Sequence, residues 1–383
     1  MNIIDQTLLA FPFFKPLAPG NVCATTPLWS IQWIKPGDAL WKQGDAVHDL
    51  ALVTAGELMV LVDEVDIGRV KAGEMVGEVT VFLDGAVRSA TLRSLVGTEV
   101  LTLSVTALRH LRQKRSEVYD ALLDQALITL ARRVRNTDRQ IARLVQGSQS
   151  APARTEPSVL VRLWKALRPG PPAPACPDLE PLLRQESGHR SLTADVFTSL
   201  SVAFTAQPVQ EGQIIFLEGE PGAASYLVAD GQIDVLRHVR GDRAELLASL
   251  QPGDQFGLNT LVEPGTRSAS CVAVTPGWLY RMDSVAFKQL KGEARLLWRE
   301  TMLSSLASQV RNANNALQRA IGGGSPLLAA NAPPRAGNEI VDSFNDLLRA
   351  SGFLEGLPSH KELENVQVVM DEEQRRNPRG GRR

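Results

Sequence analysis

Hydrophobic and polar residues alternate in short runs in two separate parts of the chain, residues 25–115 and 178–284. Runs such as ALVTAGELMVLV and SYLVADGQIDVLRHV have the period of two that places every second side chain on one face of a β-strand. Glycines separate the runs, as expected for turns between antiparallel strands. The pattern predicts two β-rich domains.

The two β-rich domains are copies of one another. Three glycines of the first part recur in the second at a constant spacing of 175 residues, and the segment 37–61 aligns on 212–236 without a gap. The six glycines are Gly37, Gly44, Gly56, Gly212, Gly219 and Gly231. A repeat of this length, interrupted by other sequence, indicates duplicated globular domains rather than a solenoid. We expect each copy to be a small β-roll, a jelly-roll-like barrel, and assign the glycines to its turns.

A long amphipathic helix is predicted after each barrel, over residues 116–146 and 285–321, so the fold class is α+β. The apolar seam positions step by three and four residues, and the two sets match at a spacing of 176 residues. They are Leu127, Leu130, Val134, Thr137, Ile141 and Leu144 in the first helix, and Leu303, Leu306, Val310, Ala313, Leu317 and Ala320 in the second. Because an apolar seam needs a facing helix, the seams pair either within one chain, as a pseudo-dimer, or between two chains, as a homodimer. Self-pairing of the better first seam favours the homodimer.

The remaining segments flank or connect these elements. Residues 1–24 are predicted to form an N-terminal helical segment, and residues 147–177 a linker rich in proline and small residues. Residues 322–383 are predicted to be a flexible tail whose basic end contains Arg375, Arg376, Arg379, Arg382 and Arg383. These arginines either contact phosphates or an acidic partner, or belong to a solvated terminus, which is the interpretation we prefer.

Composition narrows the classes of partner. The 383 residues are 44% hydrophobic and 22% charged with a net charge of −1, so no overall field selects nucleic acid or a membrane surface. Cys23, Cys176 and Cys271 lie far apart, which argues against disulfides and zinc and fits a reducing cytoplasm. No basic targeting start and no window apolar enough to span a membrane is found. We therefore expect a soluble cytoplasmic protein with no membrane partner.

One segment of the first barrel has residues suited to a small cyclic phosphate. In GEVTVFLDGAVRSA, residues 77–90, Glu78 precedes Arg88 by ten residues, and Ser89 follows directly. The residues VTVFL can form one helical turn whose free N–H groups point at an anion, and a planar guanidinium can pair with the same anion. The carboxylate is then free to accept a hydrogen bond from a sugar hydroxyl.

This segment resembles the phosphate-binding cassette of cyclic nucleotide-binding domains, found in the bacterial catabolite activator family and in regulatory subunits of cyclic-AMP-dependent protein kinase. Gly77 begins the cassette. The resemblance implies that Glu78 holds the ribose 2′-hydroxyl, that Arg88 pairs with the cyclic phosphate, and that the Ser89 hydroxyl supports it. The implied ligand is cyclic AMP, with cyclic GMP as an alternative.

The first seam helix resembles the dimerisation helix of the catabolite activator family. Thr137 stands where that family has a threonine that reaches the adenine amino group, and Asp138 stands where the activator has a serine. Thr137 is alternatively a small polar residue that sets the register of a packed seam. If Asp138 reaches the base, its acceptor oxygens favour the adenine amine over a guanine carbonyl; otherwise it is an exposed side chain.

The second copy departs from this pattern at the ligand contacts. Its cassette, FGLNTLVEPGTRSAS, keeps Arg267 and Ser268, but Leu258 replaces the ribose-binding acid. Ala313 replaces the threonine of the seam. Arg267 either holds a phosphate or forms a structural ion pair with Glu263 or Asp254. We therefore expect a degenerate domain whose pocket is silent or altered.

Motifs for other functions are missing from the sequence. A helix-turn-helix follows the long helix in the catabolite activator family, whereas a proline-rich linker and GGGSP follow here, so direct DNA binding is doubtful. No Walker-type loop, GxGxxG or GxSxG occurs, and the five histidines are scattered without metal spacing. These observations favour a protein that is not an enzyme.

The sequence as a whole predicts a cytoplasmic sensor that binds a cyclic nucleotide in its first domain. We expect occupancy to be relayed through the seam helices to an unknown protein partner. Three other functions stay open: a transcription regulator that acts through its basic tail, a regulatory subunit of a kinase, and a structural duplicate that binds nothing.

Overall fold

A computed structural model describes residues 2–82, 87–147, 175–186, 192–240 and 243–321 of the chain. Most of the predicted linker, together with the predicted tail and its five arginines, lies outside the described residues. In the part that is described, no helix combines the length and the apolar character needed to cross a membrane.

The first half of the chain consists of an antiparallel β-domain between short N-terminal helices and one long helix. The helices are α1 (Ile3–Ala10), α2 (Pro19–Cys23), α3 (Glu78–Val81), α4 (Val105–Gln113) and α5 (Glu117–Gly147), with a 3₁₀ turn at Thr26–Leu28. The strands are β1 (Trp29–Ile34), β2 (Ala39–Trp41), β3 (Asp49–Ala55), β4 (Glu57–Val62), β5 (Val65–Lys71), β6 (Met75–Val76), β7 (Thr91–Ser94) and β8 (Thr98–Ser104). The strands form two four-stranded sheets in the orders β1-β8-β3-β6 and β2-β7-β4-β5.

The second half repeats this arrangement. Its helices are α6 (Leu179–Glu186), α7 (Ala194–Ala203), α8 (Leu258–Val262), α9 (Ser284–Gln289) and α10 (Gly292–Ile321). Its strands are β9 (Thr205–Val209), β10 (Ile214–Phe216), β11 (Pro221–Gly222), β12 (Ala224–Asp230), β13 (Ile233–Arg240), β14 (Arg243–Leu250), β15 (Gln255–Phe256), β16 (Gly265–Thr266), β17 (Ser270–Ala273) and β18 (Gly277–Asp283). They form sheets ordered β10-β17-β13-β14 and β15-β12-β18-β9, with a small β11-β16 ribbon.

The predicted pair of jelly-roll-like domains is confirmed, with one correction to their shape. Each domain is a sandwich of two open sheets rather than a closed barrel, because the edge strands of one sheet do not pair with those of the other. Alternate side chains of both sheets fill the space between them. Val53, Leu58 and Val100 lie in the core of the first sandwich, and Val228 and Leu279 in that of the second.

The repeated glycines stand at turns, as their spacing predicts. Gly56 has a φ of +88° and its counterpart Gly231 a φ of +85°, a conformation that side chains with a Cβ rarely adopt. A Cβ at Gly56 would lie 2.7 Å from the carbonyl oxygen of Gly97, so the turn also requires the missing side chain. Both observations explain why the two copies keep glycine here.

Helices α5 and α10 pack against each other through their apolar seams. The seam residues buried there are Leu127, Leu130, Val134, Thr137, Leu303, Leu306, Val310 and Leu317. The side chains of Ile141, Leu144 and Ala320 lie outside the description. In the structure of the single chain the two seams pair with each other, as in the intramolecular pseudo-dimer, and the homodimer through the first seam stays a prediction. The predicted second helix is also divided, with a break before Gly292, whose φ is +56°.

An ion pair between a buried arginine and two half-exposed aspartates favours the pairing of α5 with α10 over pairing of α5 with a copy of itself. Arg299 of α10 is 2% exposed, and its guanidinium lies 2.7 Å from Asp120 Oδ1 and 2.5 Å from Asp124 Oδ1 of α5. At the repeat spacing of 176, the counterpart of Arg299 is Leu123. Two copies of α5 would thus place the two aspartates opposite leucine, without a cation. Buried polar contacts of this kind select the partner helix and its register.

Candidate functional site

The cassette-like segment of the first domain begins with a tight turn that contacts strand β3, and its residues 83–86 lie outside the described residues. Gly77 has a φ of +88° and immediately precedes α3. A Cβ at this position would lie 2.9 Å from Arg88 Nη1 and 3.1 Å from the Trp41 ring. Glycine is therefore required here both by the backbone conformation and by the close approach of the guanidinium.

The Arg88 guanidinium is buried at the centre of the site. Its Nη2 donates to the Asp49 carbonyl oxygen at 2.8 Å and to Asp49 Oδ1 at 2.6 Å, and its carbon lies 3.4 Å from the centroid of the Trp41 ring. Its Nε and Nη1 atoms are buried, and no acceptor for them is found in the part of the chain that the structure describes. Two donor groups of a buried cation are thus available for an anionic ligand.

Burial opposes the charge on both members of this pair. It lowers the pKa of Arg88 to about 10, against the opposing effect of Asp49. It also raises the pKa of Asp49, although Arg88 acts in the other direction. The attraction between Arg88 and Asp49 therefore does not fully offset the cost of burying their charges. A second anion near Arg88 would stabilise the charge of the guanidinium.

Glu78 lies beside this arginine, completely buried in the first turn of α3. Arg133 of α5 approaches it, with Nη1 2.7 Å from Glu78 Oε1. The contact is an ion pair without hydrogen-bond alignment, and neither carboxylate oxygen has an aligned donor among the residues that the structure describes. Burial raises the pKa of Glu78 above its ordinary value of 4.5, with Arg133 opposing the shift. The carboxylate is held ready to accept hydrogen bonds from a bound hydroxyl.

The structure brings most of the predicted first-domain residues to one place. Gly77, Glu78 and Arg88 are in mutual proximity, and the partly buried Ser89 follows Arg88. Thr137 is 8% exposed on α5, one helical turn after the arginine that pairs with Glu78. The side chain of Asp138 lies outside the description, so its predicted contact with a base stays a prediction.

Three residues that touch this site were missed from the sequence: Trp41, Asp49 and Arg133. The position of Asp49, 39 residues before Arg88, gave no local signal for their contact. One signal was available in the repeat, because the counterpart of Asp49 in the second domain is Ala224, at the same spacing of 175. A residue that differs between copies where the fold is the same marks a difference in the site.

The second domain has the same turn with different chemistry. Gly257, with a φ of +73°, precedes α8, and Leu258 occupies the place of the acid and is buried. Arg267 Nη1 donates to the Gly257 carbonyl oxygen at 3.1 Å and to Thr260 Oγ1 at 2.6 Å. Ser268 follows it, partly buried. The alternative of an ion pair between Arg267 and Glu263 or Asp254 is wrong for the described residues. Glu263 pairs with two arginines of α5, and Asp254 accepts from the backbone N–H of Gln251.

Glu263 instead joins the second domain to helix α5. Its carboxylate accepts from Arg132 Nη2 at 2.6 Å and also pairs with Arg135. The hydrogen bond from Arg132 lowers the pKa of Glu263. The next residue to Arg132 is Arg133, which pairs with Glu78 of the first domain. One short stretch of α5 thus contacts the cassette of each domain.

Comparison with known families agrees with this geometry. The family model of the cyclic nucleotide-binding domain matches residues 31–115 and 206–293. The chain is 28% identical over 137 residues to a CRP-like cAMP-activated global transcriptional regulator of Mycobacterium tuberculosis, covering 35% of this chain and 58% of the relative. It is 29% identical over 131 residues to a cAMP-dependent protein kinase regulatory subunit of Colletotrichum orbiculare, covering 34% of this chain and 33% of the relative.

Solved structures give a further comparison. The catabolite activator protein of Thermus thermophilus is 33% identical over 35% of this chain and 62% of its own, with a TM-score of 0.32. The regulatory domain of the Toxoplasma gondii cAMP-dependent kinase, solved with cAMP, is 17% identical over 77% of this chain and 93% of its own, with a TM-score of 0.27. This chain spans less than two thirds of the length of the two sequence relatives.

Proposed function

The chain carries two cyclic nucleotide-binding domains, and we propose that it is a sensor that binds a cyclic nucleotide in the first and relays its occupancy to another protein. The observation that carries this proposal is the buried pair of Arg88 and Glu78. Among the described residues, the cation has two unused donors and the carboxylate beside it has no aligned donor. A cyclic phosphate and the adjacent ribose hydroxyl require this combination of donor and acceptor.

The proposed ligand is cyclic AMP. Relatives named for cAMP activation and cAMP dependence support this choice, and so does a buried threonine on the helix that packs against the cassette. Binding requires Arg88 to exchange its contact with Asp49 for the phosphate, or to use its free Nε and Nη1 donors. Ser89 would support the phosphate from the next position.

We propose that the signal passes through the residues 132–137 of α5. A ribose hydroxyl that binds Glu78 changes the acceptor available to Arg133, and Arg132 next to it holds Glu263 of the second domain. The ligand then shifts an equilibrium between two arrangements of α5 and α10. The size of the shift is set by the difference between its affinities for the two arrangements. Free cysteines fit a protein of the reducing cytoplasm.

Calorimetry of the full chain against cyclic AMP, cyclic GMP and cyclic dinucleotides tests the proposed function. We expect saturable binding of cyclic AMP in the first domain. A chain that is folded by circular dichroism and binds none of these nucleotides would support the structural duplicate instead. Co-purification of a kinase, or sequence-specific binding to promoter DNA, would identify the regulatory subunit or the transcription regulator.

Glu78→Gln is expected to lower the affinity for cyclic AMP by about tenfold to a hundredfold, because a charged acceptor for the 2′-hydroxyl is lost. The variant should also lose any preference for cyclic AMP over 2′-deoxy cyclic AMP. Calorimetry with both ligands measures this, with the exposed Glu64→Gln as the matched control. Unchanged discrimination of the two sugars in Glu78→Gln would place the ribose elsewhere.

The same variant tests how much the buried, ionised Glu78 carboxylate destabilises the folded chain. The pKa of Glu78 in the folded state is raised above its value in the unfolded state. The folded state therefore binds the carboxyl proton more tightly than the unfolded state does, and loss of that proton as the pH rises destabilises the folded state. Glu78→Gln without nucleotide should therefore be more stable than the unmodified chain at about pH 7, and this advantage should shrink as pH falls toward 4.5. Thermal unfolding across this interval measures it; an advantage that grows as the pH falls would contradict the assignment.

Thr137→Ala is expected to reduce the preference for cyclic AMP over cyclic GMP, which we expect to be about tenfold in the unmodified chain. In this proposal the Thr137 hydroxyl accepts from the exocyclic amine of adenine, which guanine lacks at that position. Competition between the two nucleotides measures the ratio. Thr129→Ala, on the same helix, is the matched control, since Thr129 accepts from Gln125 instead. Equal affinities that Thr137→Ala does not change would place the helix outside the site.

A further inference from the structure

A cavity of about 630 Å³ opens where the two long helices α5 and α10 begin. Its lining residues fall within three segments of the chain, residues 13–17, 112–128 and 291–299. No described residue of either cassette lines it, so it is separate from the proposed nucleotide site. We call it the helix-start cavity.

Two cations stand at the start of α10, where positive charge is unfavourable. Lys291 directly precedes the helix, and Arg295 follows four residues later on the same side. Both side chains are exposed, line the helix-start cavity, and form no ion pair with any described residue. Each is repelled by the positive end of the helix dipole and by the other cation. A bound anion would relieve both repulsions.

The first copy follows the charge rule that the second copy breaks. Helix α5 has Glu117 and Asp120 in its first turn, where the helix dipole favours acids. At the repeat spacing of 176, the counterparts of Tyr119 and Asp120 are Arg295 and Leu296. The second helix therefore has a cation and an apolar residue where the first has a tyrosine and an acid. A local rule that is broken without a compensating contact is typical of functional sites.

The acids of the cavity wall already have partners. The two aspartates of α5 pair with Arg299. Glu293 lies 3.4 Å from Arg112 Nη2 and 3.6 Å from Arg115 Nη2. Glu117 accepts a hydrogen bond at 2.9 Å from the side-chain amide of an asparagine in α2. None of these acids pairs with the two cations at the start of α10.

Apolar side chains form much of the remaining wall. Phe13, Leu17, Ile128 and Leu296 line the cavity and are only partly buried. Arg299, which is 2% exposed, also lines it, and its Nε has no acceptor among the described residues. The cavity therefore combines apolar surface that is open to a ligand with positive charge and donors that lack partners.

We propose that the helix-start cavity binds a small amphipathic anion. Its carboxylate or phosphate head lies between Lys291 and Arg295, and its apolar chain lies against Phe13, Leu17 and Leu296. The head supplies the negative charge that the start of α10 lacks, and the chain covers the apolar wall. Because both helices line the cavity, the ligand also stabilises their pairing. This inference does not rest on the proposed function.

Calorimetry and thermal unfolding of the full chain with sodium dodecanoate, below its micelle concentration, test the site. We expect saturable binding and a rise in the melting temperature. Lys291→Gln combined with Arg295→Gln should lower the affinity at least tenfold, because two charged donors to the head are lost. Without ligand this double variant should unfold at the same temperature as the unmodified chain or higher, since two unfavourable charges are removed.

Lys288→Gln is the matched control for the double variant. Lys288 is an exposed lysine three residues before Lys291, and it does not line the cavity. Its replacement should leave the affinity for dodecanoate within about twofold, a change below 1 kcal/mol. Absence of dodecanoate binding to the unmodified chain, or equal binding to the double variant, would overturn the proposal.

Related probes separate the head of the ligand from its chain. The affinity should rise about twofold to fourfold for each methylene added between octanoate and dodecanoate. Tighter binding of dodecyl phosphate identifies a phosphate head, and tighter binding of dodecanoate identifies a carboxylate; either supports the site. Dodecyltrimethylammonium that binds as tightly as dodecanoate would contradict the role of the cations. Acetate or inorganic phosphate that binds as tightly would contradict the role of the apolar wall.

Discussion

Arg88→Ala is expected to abolish cyclic AMP binding to the first domain, with a loss on the order of 2–5 kcal/mol, or tens to thousands of fold in affinity. The phosphate would otherwise be buried without its guanidinium partner, beside Glu78, whose own ion pair is with Arg133. The guanidinium lies on the ring of Trp41, and its Nε and Nη1 donors have no acceptor among the described residues, so both are available to the phosphate. Calorimetry of the full chain measures the loss.

Arg93→Ala is the matched control for this variant. Arg93 is on β7, a few residues from Arg88, and its side chain is 38% exposed and paired with Glu64 on the surface. Its removal should leave the affinity unchanged. Arg267→Ala should likewise leave the affinity of the first domain within about threefold, a change below 1 kcal/mol. If Arg267→Ala removed cyclic AMP binding and Arg88→Ala did not, the second domain would be the sensor.

Leu130→Glu is expected to destabilise the chain by more than about 4 kcal/mol, because it buries an unpaired charge in the seam. Leu130 is fully buried between α5 and α10. Loss of the helix pair should also remove cyclic AMP binding, since α5 carries Arg133 and Thr137. Thermal unfolding and calorimetry measure the two effects. Asn136→Glu, at an exposed position of the same helix, is the control and should change neither.

The same helix pair predicts the assembly state. Because each seam is covered by the other within one chain, the unmodified protein should be a monomer by light scattering at micromolar concentration. Cysteines introduced by Val134→Cys and Val310→Cys should cross-link inside one chain, without a covalent dimer. A stable dimer that dissociates in Leu130→Glu while the chain stays folded would instead support the predicted homodimer.

The sequence determined the local features of this protein. The alternation in residues 50–61 predicts strands because successive side chains of a strand point to opposite faces. Gly56 predicts a turn because glycine adopts a positive φ without steric cost. The repeat at 175 residues established two copies, and the steps of three and four established the seam helices. The cassette order identified Gly77, Glu78 and Arg88 as a group, since a single turn and the following strand start hold them.

Only the tertiary structure decided which of these features meet. Asp49 opposite Arg88, and Arg133 opposite Glu78, come from elements far apart in the chain, so no local spacing predicts them. The choice of α10 over a second α5 depends on Arg299 facing two aspartates, a contact that exists only when both helices are packed. Long-range packing fixes the charge that each buried group faces, because burial makes every unpaired charge costly and so selects one arrangement.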